Sequence, residues 1–406
     1  MSEGNRQLGP TSGTNEGESD DRARLLHDES FVIDFSPHGE PIPQTERTLA
    51  AMRAAAVGGN LEGALRALWI EHLRELEESS IARERAADLW RRSGVDAVLV
   101  SLGGMELGTH DWDAHVRDAA RWHRRAAIDG GMTVCTTASG LRAARERGSV
   151  GVVLGVQDTL QIGTDLGRLE TLHGLGVRVV QLTYNRRNLV GDGCTERHQS
   201  GLSRFGLELV DELNRLGMVV DVSHCGTATT NEAVETSEHP PAFTHTTCRA
   251  LFDHPRAKSD EQLRRLAERD GYVGIVAVPF FLKPGGGSLD DMVDHIAHAA
   301  DLVGIDRVGI ATDWGFWSPD FPPELHEMTM ARFNTTSGFR PEDGLELGVS
   351  LEGFDTWGDW PRITGCLVRR GFSDEEIKGV LGSNWLRYFD RAQVRPTNET
   401  QHEERE

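Results

Sequence analysis

Two histidines and an aspartate carry the chemistry this sequence offers most plainly. His224 closes the apolar run MVVDVSH (218–224), His245 lies in PAFTHT (241–246), and Asp313 closes RVGIATD (307–313). Neutral imidazoles supply lone pairs and a carboxylate supplies charge, so three such groups brought to one pocket form a donor set for a divalent metal ion. The same groups suit proton transfer without a metal, with the carboxylate as base. Other apolar runs also end in polar groups. Asp34, Ser36 and His38 follow FVIDF (31–35), Gln157 and Asp158 end VGVVLGVQD (150–158), and Tyr184 and Asn185 end VRVVQLTYN (177–185).

Something must bring these ends together. Eight short runs rich in Val and Ile alternate with stretches of helical periodicity: the six above, VDAVLVSL (95–102) and YVGIVAV (272–278). Continuous apolar strands separated by helices imply a parallel sheet covered on both faces, and eight such units predict an α/β fold of the (β/α)₈ barrel type. In such a barrel the C-terminal strand ends converge on a single pocket. The alternative, an open doubly wound sheet, lacks its Gly-rich phosphate turn after the first strand. A ninth run, MTVCT (132–136), reads as the end of a connection. Residues 43–92 predict a helical insertion of two or three helices broken at Gly58-Gly59, with Leu65, Leu68, Trp69 and Leu73 on one face. It reads as packed on the barrel, with a lid or a dimer contact as the other options. Residues 1–29 and 393–406 hold little to bury and are expected to be disordered tails around one domain at 30–392.

Sixty-four acidic residues against 43 basic ones give a net charge of −21, which excludes nucleic acid and anionic membrane as natural partners. Five scattered cysteines without a C-x-x-C pair fit a reducing compartment and exclude a thiolate zinc site. The polar start and the lack of a long apolar run predict a cytoplasmic protein acting on a small molecule.

The segments GLSRFGLELVDELNRLGMVVDVSHCG (201–226), FTHTTCRALFDHPRAKSDEQL (243–263), SLDDMVDHIAHAADLVGIDRVGIATDWG (288–315) and GFSDEEIKGVLGSNWLRYF (371–389) together resemble the membrane (renal) dipeptidase family of metallopeptidases. The resemblance spans most of residues 31–390. It implies an amidohydrolase-type barrel, a homodimer, and two zinc ions sharing a bridging glutamate. By position, His224 and His245 correspond to the histidines holding one metal. Asp313 corresponds to the aspartate that binds the other and handles the proton, and Arg256 to the arginine near the substrate carboxylate.

Several positions depart from that pattern. The family's D-G-H-x-D becomes Asp34-Phe35-Ser36-Pro37-His38, so that, without gaps, Ser36 and His38 replace both ligands. With a two-residue bulge, His38-Gly39-Glu40 restores an imidazole-x-carboxylate pair. The bridging glutamate becomes Gln157, which cannot offset two cations. Asp158 should point away from Gln157 on an extended chain. Tyr184 stands where a histidine is expected. Ser36, Gln157, Asp158 and Tyr184 with Arg256 therefore read as a rebuilt substrate pocket, and Trp314, Phe316 and Trp317 as its apolar wall.

The expected function is hydrolysis of an amide-type bond with at most one divalent ion, zinc or another, on His224 and His245, with Asp313, His38 and Gln157 as candidates for a further ligand. A metal-free isomerase, lyase or cyclase using the same groups, and a non-catalytic homologue, are the alternatives. His110, His115, His295, His298 and Cys225 are expected to serve packing and capping.

Overall fold

The computed structural model describes residues 16–35, 39–103, 111–315, 322–346 and 349–393. Ser36, His38, His110, Phe316 and Trp317 lie outside the described residues. Ten strands form: β1 (Ile33–Phe35), β2 (Ala97–Ser101), β3 (Met132–Val134), β4 (Val150–Val156), β5 (Val177–Gln181), β6 (Val219–Asp221), β7 (Ala242–Cys248), β8 (Ala257–Lys258), β9 (Tyr272–Val276) and β10 (Val308–Ala311). Eight of them run parallel in the order β1-β2-β4-β5-β6-β7-β9-β10. Each of the eight apolar runs supplies one stave. MTVCT is more than the end of a connection: as β3 it pairs Met132 with Val150 along the first half of β4.

The strands read as unbroken apolar runs because both faces are covered. Ile33, Phe35, Ala97, Leu99, Val153 and Val179 point into the barrel with Tyr272 and Ala311. Val98, Val100, Val152, Leu154 and Val180 point outward under the helices. The barrel floor is filled from far along the chain. Trp385 meets Phe35 edge-on at 4.7 Å and Tyr272 at 5.1 Å.

The barrel closes through a side chain. Among the described residues β1 and β10 share no ladder. Instead the buried Asp34 carboxylate accepts from the Thr312 N–H at 2.7 Å and the Thr312 hydroxyl at 2.5 Å, while Asp313 N–H donates to the Phe35 carbonyl at 2.9 Å. Burial pushes the Asp34 carboxyl up to about 7.

The N-terminal expectation needs correction: helix α1 (Glu16–Glu29) begins well before residue 30. Ala23 and Leu26 are buried, and His27 bonds Thr364 Oγ1 and the Ser93 carbonyl, both at 2.8 Å. Three apolar or aromatic anchors were enough to dock a mostly polar segment.

Residues 43–92 fold as α2 (Glu46–Ala55), α3 (Leu61–Glu78) and α4 (Ser80–Ser93), with a tight turn at Val57–Gly59. Trp69 of α3 meets Trp122 of α5 (Trp112–Asp129) at 5.3 Å. Beneath them Glu40 accepts from Arg125 Nε at 2.8 Å and pairs with His72 Nε2 at 3.1 Å. Burial pushes this carboxyl up, but Arg125 and His72 outweigh it and hold it at about 2. Glu40 thus staples the insertion to the barrel, which removes it as the carboxylate of a bulged metal motif.

Candidate active site

His224 and His245 meet at the barrel mouth, their Nε2 atoms 2.8 Å apart, and both are buried. An irregularity in β7 makes this possible. Ala242 faces inward and Phe243 outward, but the register against β9 shifts between Phe243 and Thr246. Thr244 and His245 then both line the interior, which plain alternation forbids.

The polar groups behind the imidazoles decide where their protons sit. His224 Nδ1 lies 2.7 Å from Asn185 Oδ1, an acceptor, so Nδ1 carries the hydrogen. His245 Nδ1 lies 2.8 Å from Thr244 Oγ1. That hydroxyl donates its own hydrogen to Asp221 Oδ2 at 2.6 Å and therefore accepts from the imidazole. With these tautomers both Nε2 lone pairs face one another, an arrangement that a cation between them would stabilise. Burial, then Arg256, drives both imidazoles well below their ordinary range, so a proton is disfavoured there.

The remaining expected residues divide. Tyr184 stacks on His224 at 4.3 Å, and the Gln157 side-chain nitrogen lies 3.4 Å from His245 Nε2. Arg256 is buried, and its two terminal nitrogens donate to the carbonyls of Ser223 at 2.5 Å and His245 at 2.9 Å. It clamps the two histidine strands together. Arg256 Nε and Asn185 Nδ2 are buried donors with no hydrogen-bond acceptor among the described residues. Asp313 adopts a left-handed φ of 52°, a strained conformation that Asp tolerates better than most residues. Burial pushes its carboxyl up to about 6, against the pull of Arg256, and its charge in turn acts on Tyr184.

The Asp158 carboxylate accepts from Thr159 N–H and Asn188 Nδ2, both at 2.7 Å, and braces the following loop. Among the described residues no group of three or more His, Cys, Asp or Glu side chains is gathered as a ready-made metal site. The two imidazoles supply donors of the kind a divalent ion takes.

Asn185, Thr244, Asp221 and Ser223 were missed as site residues. Asp221 accepts from both Ser223 and Thr244, and the only sequence signal was a row of polar residues at strand ends. Lys258 is a further surprise: its buried ammonium donates to the Cys225 carbonyl at 2.7 Å, and burial pulls it down to about 8. Cys225, pushed up to about 11 by burial, behaves as a packing residue. His115 bonds the Asp111 carbonyl, His295 the Leu282 carbonyl and His298 Asp260.

Beside the mouth lies a cavity of about 880 Å³ between the insertion and the barrel, walled by Trp69, Trp122, Trp314, Trp357, Arg66 and Arg121. Ser101 lines both this cavity and the small interior space beneath Gln157 and His245.

The family model for membrane dipeptidase, peptidase family M19, matches residues 113–332, more than half of the chain. The chain belongs to the membrane dipeptidase family. Among its relatives, the dipeptidase verJ of Clonostachys rogersoniana is 31% identical over 248 residues, 60% of this chain and 55% of that protein. An uncharacterized dipeptidase of Schizosaccharomyces pombe is 29% identical over 63% of this chain and 56% of its own length. The chain thus spans about half the length of the curated relatives it matches. A solved amidohydrolase from Pseudomonas aeruginosa is 27% identical, with a TM-score of 0.69 over 91% of this chain and 99% of that one. Within the membrane dipeptidase match lie His224, His245, Arg256, Asp313 and also Gln157 and Tyr184; Asp34 to Glu40 lie before it. No helix among the described residues is long and apolar enough to cross a membrane.

Proposed function

We propose that the chain is a homodimeric hydrolase that cleaves an amide-type bond in a small molecule, using a single divalent ion, zinc or a similar metal. The observation that carries this reading is the pair of imidazole lone pairs 2.8 Å apart, each fixed from behind by a polar partner. His224 and His245 would hold the ion, which when bound acidifies a water and polarises a carbonyl. Asp313 would accept a proton from the attacking water and return it to the leaving amine. Arg256, with a donor to spare, faces a substrate carboxylate, and Tyr184 walls the reacting group from solvent. The large cavity beyond Ser101 takes the rest of the substrate, so aromatic or extended substituents should be accepted.

Metal analysis together with a panel of dipeptides, β-lactams and N-acyl amino acids tests the proposal. About one equivalent of metal, turnover with zinc, cobalt or manganese, and its loss on strong chelation are expected. Turnover that survives both chelation and His224→Ala would sink it. Gln157 in place of a carboxylate favours a second reading, metal-free acid/base catalysis by the same groups. That reading predicts chelator-resistant activity abolished by Asp313→Asn.

The support behind the imidazoles yields a milder prediction. Asn185→Ala removes the acceptor that fixes the His224 tautomer and should weaken metal affinity about 10–100-fold. Titration against a competing chelator measures this, and an unchanged affinity would show that Asn185 does not orient the ring.

A further inference from the structure

The loop after Tyr184 and Asn185, RRNLVGDGCTERHQS (186–200), turns back over the barrel mouth on fixed anchors. Thr195 donates to the Asn185 carbonyl through N–H at 3.0 Å and Oγ1 at 2.7 Å, and Cys194 N–H donates to the His224 carbonyl at 2.8 Å. Gly193 is required there, because a Cβ would fall 2.2 Å from the Asn185 carbonyl. Against the outer side of the loop packs the turn at Gly338, where a Cβ would lie 2.3 Å from Thr195 Oγ1.

Between loop and turn is a cavity of about 550 Å³ walled by Arg186, Arg187, Arg197, His198 and Arg340, with Glu196 as its carboxylate. Glu196 Oε1 accepts from the Arg187 backbone N–H at 2.8 Å, and the Arg187 side chain is bonded to Asp192. Among the described residues Arg186 donates to a neutral group, the Thr335 carbonyl, at 3.0 Å. Arg197 and Arg340 form no ion pair among the described residues.

Elsewhere some arginines find carboxylates, as Arg47 does with Glu71 and Glu78, Arg215 with Glu170 and Glu212, and Arg370 with Asp294, while others such as Arg168 and Arg178 donate to carbonyls. Arg186, Arg197 and Arg340 share this concave site with a single lining carboxylate, Glu196, which leaves an excess of positive charge that an anion relieves. The planar fork of each guanidinium matches paired oxygens on phosphorus or carbon.

We infer that this cavity binds a small oxyanion bearing two or more negative charges, a phosphate monoester or a polycarboxylate. The site is separate from the imidazole pair and does not depend on the hydrolytic reading. Thr195 nevertheless joins its wall to Asn185 and so to His224.

Calorimetric titration of the purified chain with inorganic phosphate, and separately with citrate, at constant ionic strength in sodium chloride tests it. One saturable site per chain is expected for at least one anion. Stronger binding of phosphate assigns a phosphoryl ligand, and stronger binding of citrate a polycarboxylate. The double variant Arg197→Ala/Arg340→Ala should weaken binding at least tenfold, and His224→Ala should leave it unchanged. Should the double variant misfold, Arg197→Glu alone, at an exposed position, is expected to abolish binding. Absence of saturable binding with both anions, or binding indifferent to these arginine variants, overturns the assignment.

Discussion

Asp313→Asn is expected to lower kcat by about 10²–10⁴, the usual contribution of a positioned general base, while leaving the fold and any bound metal in place. Asparagine has nearly the same shape and also tolerates the left-handed backbone that Asp313 adopts. What it lacks is a site for the proton. Burial holds the Asp313 carboxyl near 6, above its ordinary range, and a base must be ionised to act. The wild-type kcat/KM should therefore fall as pH drops through about 6, and that acid limb should be missing from the residual activity of the variant. A pH–rate profile showing the same acid limb in both proteins would assign the limb to another group and remove Asp313 from the mechanism.

Asp34→Ala should strongly destabilise the barrel. It strips the acceptor from two buried donors, the Thr312 N–H and hydroxyl, at the seam where β1 and β10 lack a ladder. Two orphaned donors imply a loss of about 2–5 kcal/mol, readable as a lowered midpoint in urea unfolding. Asp34→Asn keeps one acceptor and should lose less. The pH dependence separates the two contributions. Because the folded carboxyl holds its proton up to about 7 while an unfolded aspartate releases it near 4, the folded state binds more protons between those values. The Asp34 contribution to stability therefore falls as pH rises through that window. This part of the slope should vanish in Asp34→Asn, and an unaltered slope would show that Asp34 is ionised throughout.

The staves were legible because a strand covered on both faces cannot hide its apolar run, and Val98 to Val100 or Val152 to Leu154 is enough to mark one. His224 was legible as the polar end of such a run. His245 comes to lie beside His224 for a reason the pattern alone does not contain. Alternation from Ala242 would have turned it toward the helices, and only the β7 irregularity brings it inward. Irregularities of that kind leave no mark in composition. Asp158 shows the opposite case, since alternation did predict that it would turn from Gln157. Glu40 could enter the bulged alternative to the first metal motif because its partners, His72 and Arg125, are 32 and 85 residues away and nothing local names them. The same distance hid α1, whose His27 is held by Ser93 and Thr364.

Trp385 has a consequence for how the molecule is made. The ring that fills the lower barrel emerges from the ribosome after every stave has been synthesised. Until it arrives, Phe35 and Tyr272 surround a hollow exposed to water. Nascent chains of this protein must wait, nearly complete, with that chamber unfilled, an interval in which chaperones and self-association compete for the same rings.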